Sequence, residues 1–150
     1  MTPLDLRTTP PRSPYDELAG LVMLARTIDK ARALLPGGNR GQYWISPGMS
    51  AWLLGKLGFD EASFVAFVGA AADEAAVTVE VERRADADRR KRWDAGMRSM
   101  TSAMLGPEFV ELVPQIYGPV APDDLILDII VRDDALTMVA GETRSARPES

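Results

Sequence analysis

The chain has 150 residues, 46% of them hydrophobic and 26% charged, with a net charge of −5 and a sequence pI of about 4.8. That composition suits one soluble globular domain with a core of its own, and its acidic balance disfavours nucleic acid and anionic membrane surfaces as partners. With no cysteine and no histidine, disulfides, thiolate nucleophiles, imidazole-bound zinc and a Ser-His-Asp triad are excluded; a metal could be held only by carboxylates and carbonyls, as magnesium, calcium or manganese are, and no metal or cofactor is expected.

Residues 1–12 read as an extended arm. Leu4 and Leu6 alternate with polar neighbours, and Pro10-Pro11 forbids helix. The arm is expected to pack its leucines on the helices and bring Arg12 near the start of the first one. It has no apolar stretch of signal-peptide length. The most apolar run elsewhere, 125–131, is too short to span a bilayer and contains Asp128. These features imply a cytoplasmic protein.

Residues 13–35 form the longest capped helical pattern. Ser13 suits the N-cap and Pro14 the first helical position, Asp16 and Glu17 favour the positive end of the dipole, and Pro36-Gly37-Gly38 ends the run. Leu18, Leu21, Val22, Ala25 and Ile28 recur at helical spacing. At roughly 100° per residue from Leu18, Asp29 falls at about 20° and Arg32 at about 320°, inside the apolar arc, with Arg26 at its edge near 80°. Lys30, Asp16 and Thr27 point away from it. Arg26, Asp29 and Arg32 thus form a charged row across a face that packs. Buried charges must pair, with each other or with something else. One reading is a structural ion-pair network. The other is a site for a small anion or an acidic partner group, favoured because two arginines around one carboxylate leave spare guanidinium donors.

The turn 36–41 is glycine-rich, but it lacks the G-K-[ST] ending of a phosphate loop and follows no strand. The segment 42–45 reads as a short extended piece whose aromatics fill core, with Tyr43 presenting a hydroxyl beside the first helix. Ser46-Pro47 starts a helix over 47–57, with Met49, Trp52, Leu53 and Leu57 inward and Gly58 as its stop. Asp60 caps the next helix, where Phe64, Phe67, Val68 and Ala71 make an i, i+3, i+4, i+7 stripe. Residues 75–84 alternate like a strand behind an acidic helix start, and helix is preferred. The basic stretch 83–92 reads as solvated helix surface. Trp93, Met97, Met100 and Met104 form a core stripe. A short helix over 108–113, a loop over 115–119 and a further helix over 125–132 follow, and 141–150 reads as a disordered tail. Asp123, Asp124, Asp128, Asp133 and Asp134 are the only dense carboxylates. They lack the EF-hand pattern, so capping and solubility explain them better than a metal.

Three groups of residues carry a family resemblance: Arg12-Ser13-Pro14-Tyr15, then Gly20-Leu21, then Ala25-Arg26-Thr27-Ile28-Asp29-Lys30-Ala31-Arg32. They resemble the signature of the bacterial domain of unknown function DUF5069, approximately RSPYE, GG and R-x-I/L-D-K-x-R. The likeness runs on through Trp93 and Met97. The chain departs from the pattern at Ala19, where the family usually has the first glycine of a pair. The resemblance implies a small, mostly helical protein and brings no activity.

The expected architecture is therefore all-α: five to seven short helices around a long N-terminal helix, one domain over 1–140. The expected function is a binding or regulatory module that recognises a small anionic ligand or an acidic partner group. Its candidate residues are Arg12, Tyr15, Arg26, Asp29, Lys30, Arg32 and Tyr43. The alternative is an enzyme acting on a phosphorylated or carboxylated substrate, with Asp29 as general base. Without histidine, a partner of different pKa for such a base is hard to find, which favours the binding module.

Overall fold

Residues 1–105 and 118–140 are described by the computed structural model of the chain. Among them run six α-helices and a single-turn 3-10 helix, with no β-strand: α1 (Leu24–Ala33), α2 (Met49–Leu57), α3 (Glu61–Ala70), α4 (Glu74–Arg84), α5 (Ala87–Ser99), the 3-10 turn Ser102–Met104 and α6 (Ile126–Ala140). The all-α expectation holds. The segments expected at 108–113 and 141–150, and the first part of the loop at 115–119, lie outside the described residues.

The long N-terminal helix is not formed. The cap and proline at Ser13-Pro14 make only a local turn, in which Tyr15 N donates to Ser13 Oγ (3.2 Å) and Asp16 N to Ser13 O (3.0 Å). The chain then doubles back. Leu18 N donates to Leu21 O, Leu21 N donates to Leu18 O, and Ala19 and Gly20 between them have φ of 54° and 73°. Two successive positive φ angles are the signature of a type I′ turn, which no helix accommodates. Ala19 takes the left-handed conformation at the position where the family pattern has glycine. Met23, also left-handed at φ 69°, leads into α1, and its N–H donates to Pro14 O (2.9 Å). Arg90 and Asp94 of α5 hold this hairpin: Arg90 Nε donates to Ala19 O (3.0 Å), and Asp94 Oδ1 accepts from Val22 N (2.8 Å).

The helix that remains is buried almost all round. Of its ten residues only Lys30 and Arg32 are not buried. Thr27, expected to point away, is fully buried; its hydroxyl donates to Met23 O (2.7 Å), and its Oγ1 lies within hydrogen-bond distance of Ser50 Oγ (2.9 Å). Ala25, Ala31 and Ala33 give α1 a slim profile, so neighbours close on it from several sides. Phe64 and Val68 of α3, Leu53 and Leu54 of α2, Val77 and Val81 of α4, Met97 of α5 and Leu127 of α6 complete one core cluster with Leu21, Leu24 and Ile28. Full burial of each large side chain contributes roughly 1.5–3 kcal/mol.

The local signals after α1 are mostly obeyed. Gly58 ends α2 at φ 79°, and Asp60 and Ser63 form a reciprocal capping box at α3. Helix α2 starts at Met49 rather than 47, after a cis Ser46-Pro47 bond. The alternating stretch after Asp73 is helical, with Val77 and Val81 buried and Val79 exposed, so its valines serve a four-residue spacing. The basic stretch does not lie on one helix. Ala85 breaks it, and Arg84 turns inward over the Phe59 ring while its Nη1 donates to Leu57 O (3.1 Å). Met104 is exposed and not in the stripe's core.

The arm packs as expected. Leu6 is buried with Ala33 and Tyr43. Leu4 N donates to Arg32 O (3.2 Å) at the end of α1, and the 36–41 loop takes the rest: Asn39 N donates to Leu4 O (2.9 Å) and Leu6 N to Asn39 O (2.8 Å). A Cβ on Gly41 would stand 2.9 Å from Leu6 O, so the glycine there admits the arm's backbone.

Candidate functional site

Helix α1 presents its charges to two different neighbours. On the arm side, Asp29 accepts from Arg12 three times: from backbone N (2.8 Å) and Nε (3.1 Å) at Oδ2, and from Nη2 (3.1 Å) at Oδ1. Arg12 Nη2 also pairs with Glu74 at the start of α4. The Arg12 guanidinium is held firmly in its charged form, chiefly by the hydrogen bond to Glu74 and then by Asp29. The Asp29 side chain is 8% exposed, and those of Arg12 and Glu74 about a third. Pro10-Pro11 explains this placement: the stiff pair swings the chain across α1, so Arg12 meets the middle of the helix rather than its start.

Arg32 lies at the end of this face. Its Nε donates to Thr2 O (2.8 Å) and its Nη2 to Thr2 Oγ1 (2.9 Å), and among the described residues no carboxylate pairs with it. Between arm and helix opens a cavity of about 500 Å³, lined by Met1, Leu4, Leu6 and Pro10 and by Asp5, Arg12, Asp29, Arg32 and Glu74. Asp5 is held by Arg7, whose hydrogen bonds depress its carboxyl to about 2.

The adjoining face of α1, roughly 60° round from Asp29, faces α6. Arg26, 3% exposed, makes a bidentate pair with Asp134 (Nη1–Oδ2 2.6 Å, Nη2–Oδ1 2.8 Å). Its guanidinium carbon lies 5.5 Å from the Tyr43 ring centroid, within cation–π range. Nη1 also donates to Arg12 O (3.3 Å), which ties the two sides together. A second, small cavity of about 40 Å³ is lined by Met23, Arg26, Lys30, Tyr43, Trp44 and Asp133, among others. Lys30 Nζ donates to Ser50 Oγ (3.3 Å). Tyr15 stands farther along α6, donating to Asp128; burial and then that hydrogen bond push its hydroxyl up to about 12.

The seven candidate residues therefore do not form one site. Arg12, Asp29 and Arg32 line the large cavity, Arg26, Lys30 and Tyr43 line the small one, and Tyr15 contacts Asp128. No member of the row Arg26–Asp29–Arg32 pairs with another, because each meets a different neighbour of the helix. The surplus of arginine over carboxylate also vanishes for Arg12 and Arg26, since Glu74 and Asp134 join. Sequence reading missed Glu74, Asp133 and Asp134. Glu74 carries no local signal. The other two do, once the last helix runs to Ala140: Ile126, Ile130, Asp133 and Thr137 follow i, i+4, i+7, i+11, which puts two polar residues on the packed stripe. Asp133 and Thr137 are indeed buried. Of the acids expected as caps and solubilising charge, Asp123 and Asp128 are exposed and Asp124 accepts from Ala121 N (2.8 Å), whereas Asp133 is buried and Asp134 pairs with Arg26.

Fold and charges together define a small helical protein whose charged helix is wrapped by its own arm and last helix. A family model described as "Domain of unknown function (DUF5069)" matches residues 8–109, and the chain belongs to that family. The match contains Arg12, Tyr15, Arg26, Asp29, Lys30 and Arg32 and ends before α6. No curated protein matches the chain. Among the described residues no helix is long and apolar enough to cross a membrane.

Proposed function

We propose that the chain is a binding module for a small amphipathic anion, a carboxylate or phosphate on an apolar body, held in the cavity between the arm and α1. One observation carries the reading: Arg32 has only neutral partners at the rim of a 500 Å³ cavity, whereas Arg12 beside it already has two carboxylates. A volume of this size matches ordinary small-molecule pockets, and apolar walls with few charged groups are what such pockets use. Leu4, Leu6 and Pro10 supply the walls; Thr2 takes the Nε side of Arg32, which leaves the Nη1–Nη2 end of its planar guanidinium for a carboxylate or phosphate. Asp29 as general base is the less supported role, because both its oxygens are occupied by Arg12 and a substrate proton would have to displace those donors.

The test is calorimetric titration with octanoate and octyl phosphate, comparing wild type with Arg32→Gln. Binding that is lost in the variant supports the proposal. Equal binding by both proteins, or none by wild type to either probe, refutes it.

A further inference from the structure

The cavity between the arm and α1 is charged unevenly from end to end. At one end the Arg12 guanidinium is shared by Asp29 and Glu74, so two carboxylates face one cation and a negative charge is in surplus. Asp29 is filled, taking three donors from Arg12. Glu74 is held by Oε1 alone, and its Oε2 has no partner among the described residues. At the other end Arg32 has only the neutral oxygens of Thr2, so a positive charge is in surplus there. The remaining charges nearby are spent. Asp5 is taken by Arg7. The Met1 ammonium donates to Val68 O, Gly69 O and Ala71 O at the end of α3, where the negative pole of the helix offsets it.

Glu74 and Arg32 line the same cavity, together with Leu4, Leu6 and Pro10. Arg12 Nη2 reaches Ala25 O and Asp29 as well as Glu74, which sets the acidic end beside residues 25–29, whereas Arg32 belongs to the last turn of α1. The two ends are therefore one to two helical turns apart, about 5–11 Å. A simple anion answers only one of them. It satisfies Arg32, leaves Glu74 Oε2 unanswered, and adds its own charge beside carboxylates already in excess. We infer that the ligand of this cavity is a zwitterion, an ammonium and a carboxylate on one aliphatic body, with the carboxylate on Arg32 and the ammonium on Glu74. This ligand class rests on the Arg32 reading given above and narrows it. Glu74 then sets the specificity, attracting the ammonium and disfavouring a dianion such as a phosphate monoester. Its side chain is about a third exposed, so the ammonium keeps part of its water and escapes most of the cost of burying a charge.

Calorimetric titration of the full chain compares octanoate, 8-aminooctanoate and 8-acetamidooctanoate, which share a chain length and differ at the far end. The extended amino acid places its two charges within the span above. It should bind wild type about fivefold or more tighter than octanoate, as for one partly exposed ion pair, and acetylation should remove that gain. In Glu74→Gln the ratio of the two affinities should fall to about one, and Arg32→Gln should lose both ligands. Should Glu74→Gln fail to fold, the three compounds on wild type decide alone. Octanoate binding as tightly as the amino acid, and lost in Arg32→Gln, overturns the zwitterion and leaves the Arg32 reading standing. A preference that survives acetylation or Glu74→Gln overturns the zwitterion as well. If wild type binds none of the three, both fall.

Discussion

Asp29→Asn and Arg12→Ala remove the two halves of one ion pair, and the structure predicts unequal costs. Asparagine keeps an acceptor for Arg12 N and Nε if its oxygen takes the place of Oδ2, but its amide then faces Nη2, donor against donor. One charge-assisted hydrogen bond is lost and Arg12 keeps Glu74, so the loss should be about 2–3 kcal/mol, below that of a fully broken buried pair. For a chain of this length that lowers Tm by roughly 4–12 °C. Arg12→Ala instead leaves the Asp29 carboxylate buried with only the backbone N–H of residue 12, and should cost about 3–5 kcal/mol. Both variants are compared with wild type by urea unfolding followed by circular dichroism at pH 7. An Asp29→Asn protein as stable as wild type, or an Arg12→Ala protein milder than Asp29→Asn, would show that this pair does not hold the arm to α1.

Three further outcomes follow from local geometry. Ala19→Gly should raise stability by about 0.5–1 kcal/mol in the same assay, since Ala19 sits at φ 54° where only glycine is unstrained; a lower midpoint would contradict the turn. Glycines 38 and 55 should respond in opposite senses to alanine. A Cβ at Gly38 would lie 2.6 Å from Ala33 O, so the end of α1 must distort at a cost of about 2 kcal/mol or more, whereas Gly55 has open space and should gain roughly 0.5–1 kcal/mol of helix propensity. Tyr15 gives a pH dependence. Its hydroxyl is raised from 10.0 to about 12, so the fold favours the protonated form; the stability it contributes is present below pH 10 and is lost as pH rises towards about 12. In Tyr15→Phe that loss should be missing from the Tm profile, and the tyrosinate absorbance titration should lose a phase at about pH 12. Loss of a phase at about pH 10 instead would place the hydroxyl away from Asp128.

Much of the fold was legible because it rests on short-range chemistry. The cap at Asp60, the acidic helix start ahead of 75–84, the stop at Gly58 and the Phe64–Val68 stripe are each decided within a few residues, and the structure keeps them all. The first helix was misread because a cap, a proline and two acids describe only a first turn. What followed was governed by a type I′ turn at Ala19-Gly20, with alanine where a glycine would have announced it. The burial of charge on α1 was also legible, since Asp29 and Arg26 fall within or beside an apolar arc at 3.6-residue spacing.

The sequence alone thus determined the helical class, most of the helix ends and the fact that α1 carries charges into packed surroundings. Only the tertiary structure decided what those charges meet. The partners lie at separations of 17, 62 and 108 residues, for Arg12–Asp29, Arg12–Glu74 and Arg26–Asp134. Helical periodicity fixes a direction around one axis and says nothing of which distant segment arrives there. That arrival depends on how the arm, α4 and α6 share the surface of a slim, alanine-rich helix. It divided one predicted row into two sites, left Arg32 as the arginine of that row without a carboxylate, and placed an acidic helix over Arg26.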